Sequence, residues 1–158
     1  MINILMLAFA LLSVTAAAAQ NVPLGKRIPE IKAQSWLGGR MPSADAGLRC
    51  IEFFHPKSAR SLANVEHLRQ LRAETGGAFD IIVVSGADER STGESLARYA
   101  DDGTAVAVDE PARLFGRFGV SYLPACMVVG SDGRVLWTGD SKQLTPAMIR
   151  KLKCQSSR

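Results

Sequence analysis

Six residues, Phe79-Asp80-Ile81-Ile82-Val83-Val84, constrain the fold of this chain more than any other stretch. The run is too short for a helix, rich in β-branched residues and almost continuously apolar. Such a run reads as a strand covered on both faces, which belongs in a parallel sheet between helical layers. The preceding sequence supplies a layer. Leu62, Val65, Leu68 and Leu71 recur every three residues, with Glu66, Arg69, Gln70 and Arg72 on the other face. That period predicts an amphipathic helix from about Ser58, ended by Gly76-Gly77. Before it, Cys50 to Phe54 reads as a strand that Pro56 stops.

The alternation continues downstream. Ser91-Thr92-Gly93-Glu94 has capping-box spacing and predicts a helix running to about Ala100. Val106–Val108 reads as a short strand and Pro111–Phe118 as a short helix. Ala125–Val129 and Arg134–Thr138 read as a hairpin turned at Ser131-Asp132-Gly133. Thr145-Pro146 opens a last helix with Met148, Ile149 and Leu152 on its apolar face. Strand–helix alternation followed by a hairpin and a helix predicts one α/β domain, parallel at its start and antiparallel at its end.

Residues 1–25 contain no Asp, Glu, Lys or Arg. An apolar core, Ile4 to Leu12, leads into Ala16–Ala19, and Ala17 and Ala19 fit an A-x-A cleavage site. The expectation is a signal peptide over residues 1–19 and a domain over residues 20–158, exported to a periplasmic or extracellular, oxidising compartment. No basic residue precedes the apolar run, so the α-amino group is the only charge there. The rival reading is an uncleaved anchor, with Lys26 and Arg27 behind it holding the domain inside; only then is a membrane a partner. The net charge of +4 comes from basic residues interleaved with acids, which argues against a nucleic-acid partner. Three scattered Cys make neither a disulfide scaffold nor a zinc module. His55 and His67, the only histidines, have no ligand cluster beside them in sequence, so no metal is expected.

Four segments together carry a resemblance. They are Leu24-Gly25-Lys26-Arg27-Ile28-Pro29-Glu30-Ile31 with Trp36-Leu37-Gly38-Gly39; Ile51-Glu52-Phe53-Phe54; Phe118-Gly119-Val120-Ser121-Tyr122-Leu123-Pro124; and Val128 to Val135 with Gly139. In this order the chain resembles the thioredoxin-like superfamily, specifically the exported TlpA-type and redoxin thiol–disulfide oxidoreductases, from about Leu24 to Leu152. The resemblance implies a three-layer α/β/α sandwich with a mixed central sheet and a C-terminal antiparallel hairpin plus helix. It also implies a cis peptide before Pro124. The family's Cys-x-x-Cys should open the first helix, but Ser58-Ala59-Arg60-Ser61 stands there. Thiol–disulfide exchange needs thiolates; a serine hydroxyl caps a helix and forms no disulfide. The peroxiredoxin spacing after Pro56 is absent as well. Ser58 or Ser61 as a hydrolytic nucleophile beside His55 would still need an orienting acid and an oxyanion hole. No catalytic residue and no cofactor is therefore expected.

What the resemblance leaves is an edge at Leu123-Pro124, where the family docks an extended peptide by strand addition. Lys57 and Arg60 flank it at a helix N-terminus. The expected function is a redox-inactive module that binds a peptide or protein partner in the cell envelope. The alternative is a thiol–disulfide oxidoreductase or peroxidase-like enzyme working through Cys126 alone, which requires access and a cationic neighbour. In the implied topology, Cys50 and Cys154 lie at the same far end and are expected to form a disulfide, worth about 4–5 kcal/mol for a loop of that length. Cys126 is expected about 10 Å or more from Cys50, at the opposite end of an antiparallel strand.

Overall fold

The computed structural model describes residues 22–43 and 47–157; the expected leader, residues 1–19, lies outside them. Six strands form one sheet: β1 (Ser35–Trp36), β2 (Leu48–Phe54), β3 (Phe79–Ser85), β4 (Thr104–Val108), β5 (Ala125–Val129) and β6 (Val135–Gly139). Their order is β1-β4-β3-β2-β5-β6. β2, β3 and β4 run parallel, while β5 lies antiparallel to β2 and β6 antiparallel to β5. Four helices connect or follow them: α1 (Ala59–Glu74), α2 (Glu89–Leu96), α3 (Arg113–Arg117) and α4 (Pro146–Ser156).

The period-two alternation of the strands sorts side chains into two cores. Cys50, Phe54, Ile81, Val83, Cys126 and Val128 pack with Val65, Leu68 and Leu71 of α1 and with Ile149 and Leu152 of α4. Ile51, Phe53, Ile82, Val84 and Met127 face the other way, onto Leu114 and Phe118 and onto Ile28, Ile31 and Trp36 of the N-terminal segment. Phe53 meets Phe115 edge-on at 5.1 Å between ring centroids. The result is the expected three-layer α/β/α sandwich, and β3 is buried on both faces as its run of apolar residues requires.

Helix ends follow their caps. Ser58 caps α1 by accepting from the Ser61 N–H at 3.2 Å, and Thr145 caps α4 with Pro146 as its first residue. The expected cap at Ser91 is displaced. Asp88 is the cap of α2, accepting from the Ser91 N–H at 2.8 Å and from its hydroxyl at 2.7 Å. A carboxylate three residues upstream satisfies the first-turn amides, so Ser91 lies inside the helix it was expected to open. α3 is shorter than expected and starts beyond Pro111. Buried Asp109 accepts from the Leu114 N–H at 2.6 Å. Cis peptides precede Pro111 and Pro124.

All three cysteines are free, and both expectations about their placement fail. Cys50 faces the core beneath α4, as the disulfide would need. On α4, however, Leu152 is the inward residue, and two further residues turn a helix by about 200°. Cys154 therefore points to solvent, and no Cys50–Cys154 bond forms. Cys50 and Cys126 are also closer than expected. The register pairs Cys50 with Val128 and Glu52 with Cys126, so the two cysteines are diagonal neighbours on one face, roughly 7–8 Å apart. That spacing still exceeds what a disulfide bridges. The antiparallel sense is as expected, but the overlap of the two short strands brings the residues together.

Candidate binding site

The C-terminal ends of β2 and β6, the N-terminal end of β5 and the first turn of α1 meet at one end of the sheet. Between them lies a groove of about 330 Å³, whose lining includes Arg60, Tyr122, Leu123, Pro124, Gly139 and Asp140. The β2–β5 ladder starts at Phe53↔Ala125, so Tyr122–Pro124 run free of it along the rim. Tyr122 is 60% exposed. A Cβ on Gly139 would stand 2.8 Å from the outer atoms of the Trp137 ring, which would have to shift to admit it.

One wall of the groove is charged. Arg60 reaches Asp140 at 3.1 Å, with Arg60 75% and Asp140 24% exposed. The other oxygen of Asp140 accepts from the Asn64 side-chain amide at 2.8 Å and from the Lys142 N–H at 3.1 Å. Asn64 is buried, and beneath it lies Glu52, which is 0% exposed. Burial lifts the Glu52 carboxyl from its ordinary 4.5 to about 8. Nearby Ser141, Asn64 and Cys126 partly offset the lift, and the charge on Asp140 adds to it. Although these groups lie alongside, neither Glu52 oxygen has a hydrogen-bond partner of good geometry. At neutral pH Glu52 is a carboxylic acid.

The structure brings Arg60, Leu123 and Pro124 together, as the sequence suggested. Lys57 is exposed but does not line the groove. Ser58 is occupied as a cap, and the Ser61 hydroxyl is buried rather than presented at the mouth. The His55 ring accepts from the Lys57 N–H at 3.2 Å and bonds to neither serine hydroxyl; the His55 carbonyl accepts from the Ser58 backbone N–H. The alternative chemistry at Cys126 loses both its requirements. The thiol is buried, and burial pushes its pKa well up, with Cys50 and Glu52 pushing the same way. A thiolate is disfavoured there and nothing can reach it. Among the described residues no group of His, Cys, Asp or Glu is placed to hold a metal ion, and no helix is long and apolar enough to cross a membrane.

Glu52, Asn64, Asp140, Ser141 and Tyr122 escape the sequence reading. The one available signal is a charge inside the strand Ile51-Glu52-Phe53-Phe54.

No protein-family model and no curated protein matches this sequence. Solved structures match it in fold. The thioredoxin domain of a thiol-disulfide oxidoreductase from Bacteroides vulgatus superposes with a TM-score of 0.68 at 13% identity, covering 83% of this chain and 98% of that one. A thiol:disulfide interchange protein from Bacteroides sp. gives 0.64 at 11% identity, over 86% and 91% of the two chains. A secreted disulfide oxidoreductase of Mycobacterium tuberculosis gives 0.50 at 15%, over 70% and 81%. This chain therefore has the thioredoxin-like fold.

Proposed function

We propose that this protein is an exported thioredoxin-fold module that binds extended peptide segments without redox chemistry. The observation that carries the reading is the pairing of an open groove with a helix start that holds serines where exchange chemistry would need thiols. A segment lying along Tyr122–Pro124 would extend the sheet where the ladder has not yet begun, pairing main-chain groups that the β2–β5 ladder does not reach. Tyr122 offers it an aromatic face, and Arg60 favours acidic side chains. Export is supported by the apolar, Ala-ended leader over residues 1–19 and by the fold neighbour described as secreted.

Amide chemical shifts titrated with a set of extended peptides test this. Acidic peptides should perturb residues 55–61 and 121–126 at millimolar concentration, less so at high salt, and Arg60→Glu should reverse the charge preference. Perturbations elsewhere, or none, would remove the binding reading. Insulin reduction driven by dithiothreitol should stay at background.

A further inference from the structure

Among the described residues, five buried side-chain N and O atoms lack a hydrogen-bond partner, and four of them occupy one patch: both oxygens of Glu52, the Ser61 hydroxyl and the Ser141 hydroxyl. Asn64 lies one turn along α1 from Ser61, and Ser141 follows Asp140, so the patch is the floor of the groove's charged wall. Unsatisfied polar atoms gathered beneath a binding surface call for an explanation.

We infer that the groove is proton-linked: it takes acidic segments while Glu52 is neutral, and ionisation of Glu52 weakens it through Asn64 and through Asp140, which holds Arg60. This inference rests on the groove being a binding site.

Asp140 is the shared node. One of its oxygens faces Arg60; the other takes the Asn64 amide. With Glu52 neutral, its carboxyl both donates and accepts, the serine hydroxyls can satisfy it, and Asn64 is left to Asp140. With Glu52 charged, a second anion sits beside Asp140 in a buried, weakly screened setting. Asn64 is then drawn toward Glu52, and the doubled negative charge holds Arg60 against the wall. Both responses take Arg60 away from a ligand carboxylate.

The groups facing Glu52 are few. β3 presents apolar Val83 opposite it, and β2 itself presents Cys50. β5 presents Cys126, and α1 presents Asn64. The turn after β6 presents Asp140 and Ser141. His67 stands one turn beyond Asn64, its ring nitrogen 3.1 Å from the Leu144 carbonyl, and His55 lies at the end of β2.

Two measurements separate the possibilities. In the ligand-free protein, the Glu52 carboxyl, the Asn64 side-chain amide and the Arg60 Nε–H are followed by NMR from pH 5 to 10. The expected result is one common midpoint, lost from Asn64 and Arg60 in Glu52→Gln. Separately, a fluorescent Asp/Glu-rich decapeptide is titrated at pH 6.5 and 9.5. Its affinity should fall at least about threefold with rising pH, the fall vanishing in Glu52→Gln and persisting in His67→Gln. A Glu52 titration that leaves Asn64 and Arg60 unmoved overturns the coupling, as does an unchanged pH profile in Glu52→Gln. If the peptide binds at no pH, the groove reading fails by itself, and the ligand-free titration still decides the coupling.

Discussion

Glu52 should make this protein less stable as pH rises through neutrality, which is unusual for a carboxylate. An unfolded chain loses this proton near 4.5; the native protein keeps it until about 8. Between those values the native state binds more protons than the unfolded one, so stability falls with pH. The contribution is complete below 4.5 and gone above about 8. Each pH unit in that window costs about 1.4 kcal/mol, which sums to about 5 kcal/mol over the window and about 3 kcal/mol by pH 7. Against a total stability of roughly 5–15 kcal/mol for a domain, one side chain then sets the profile. Glu52→Gln keeps the shape of the neutral acid and has no proton to lose. Urea denaturation midpoints at pH 5, 6, 7 and 8 give the comparison. The wild-type free energy should decline across the series while that of Glu52→Gln stays nearly level. Asp88 and Asp101, whose carboxyls are held below their ordinary value, act with the opposite sign but only at acid pH. Parallel declines, or two level profiles, would refute the assignment of a buried neutral acid at this position.

Three further outcomes follow from particular contacts. Iodoacetamide should label Cys154 alone in the folded protein and all three cysteines after unfolding, with no disulfide-linked peptide found by mass spectrometry. Asp109→Ala should cost about 1–3 kcal/mol in urea denaturation, because it strips the buried Leu114 N–H of its acceptor and unpins the start of α3. Gly139→Ala should displace the Trp137 ring packed against residue 139, seen as a shift in tryptophan emission.

The elements legible in the sequence are those whose signals are local. The covered β3 run, the three-residue recurrence along α1 and the Thr145-Pro146 start of α4 each rest on a few neighbouring residues, and each is found in place. Asp88 shows the limit, since two possible caps three residues apart compete and only the folded turn decides. The groove is half legible. The resemblance points to Leu123 and Pro124, and Arg60 follows from the helix start. Asp140 and Asn64, which share its charged wall, are 76 residues apart, and nothing local joins them. Strand register likewise brings Cys126 beside Glu52, and helix phase turns Cys154 away from Cys50.

Glu52 is the sharper case. Alternation along β2 assigns it a face, but whether that face meets water depends on α1 closing over it, a packing fact with no trace in the strand itself. Once covered, the carboxyl is fully buried without a hydrogen-bond partner, as the Ser61 and Ser141 hydroxyls are. A glutamine or an aliphatic residue there would be free of the penalty that grows above pH 4.5. Locally costly choices without evident structural return gather at functional sites, and this one lies under the wall of the groove that pairs Arg60 with Asp140. In the proposed reading, Ser58 and Ser61 stand where exchange chemistry would need thiols. The acid, Asn64 and the Arg60–Asp140 pair leave this end of the sheet a surface whose charge answers to a buried proton.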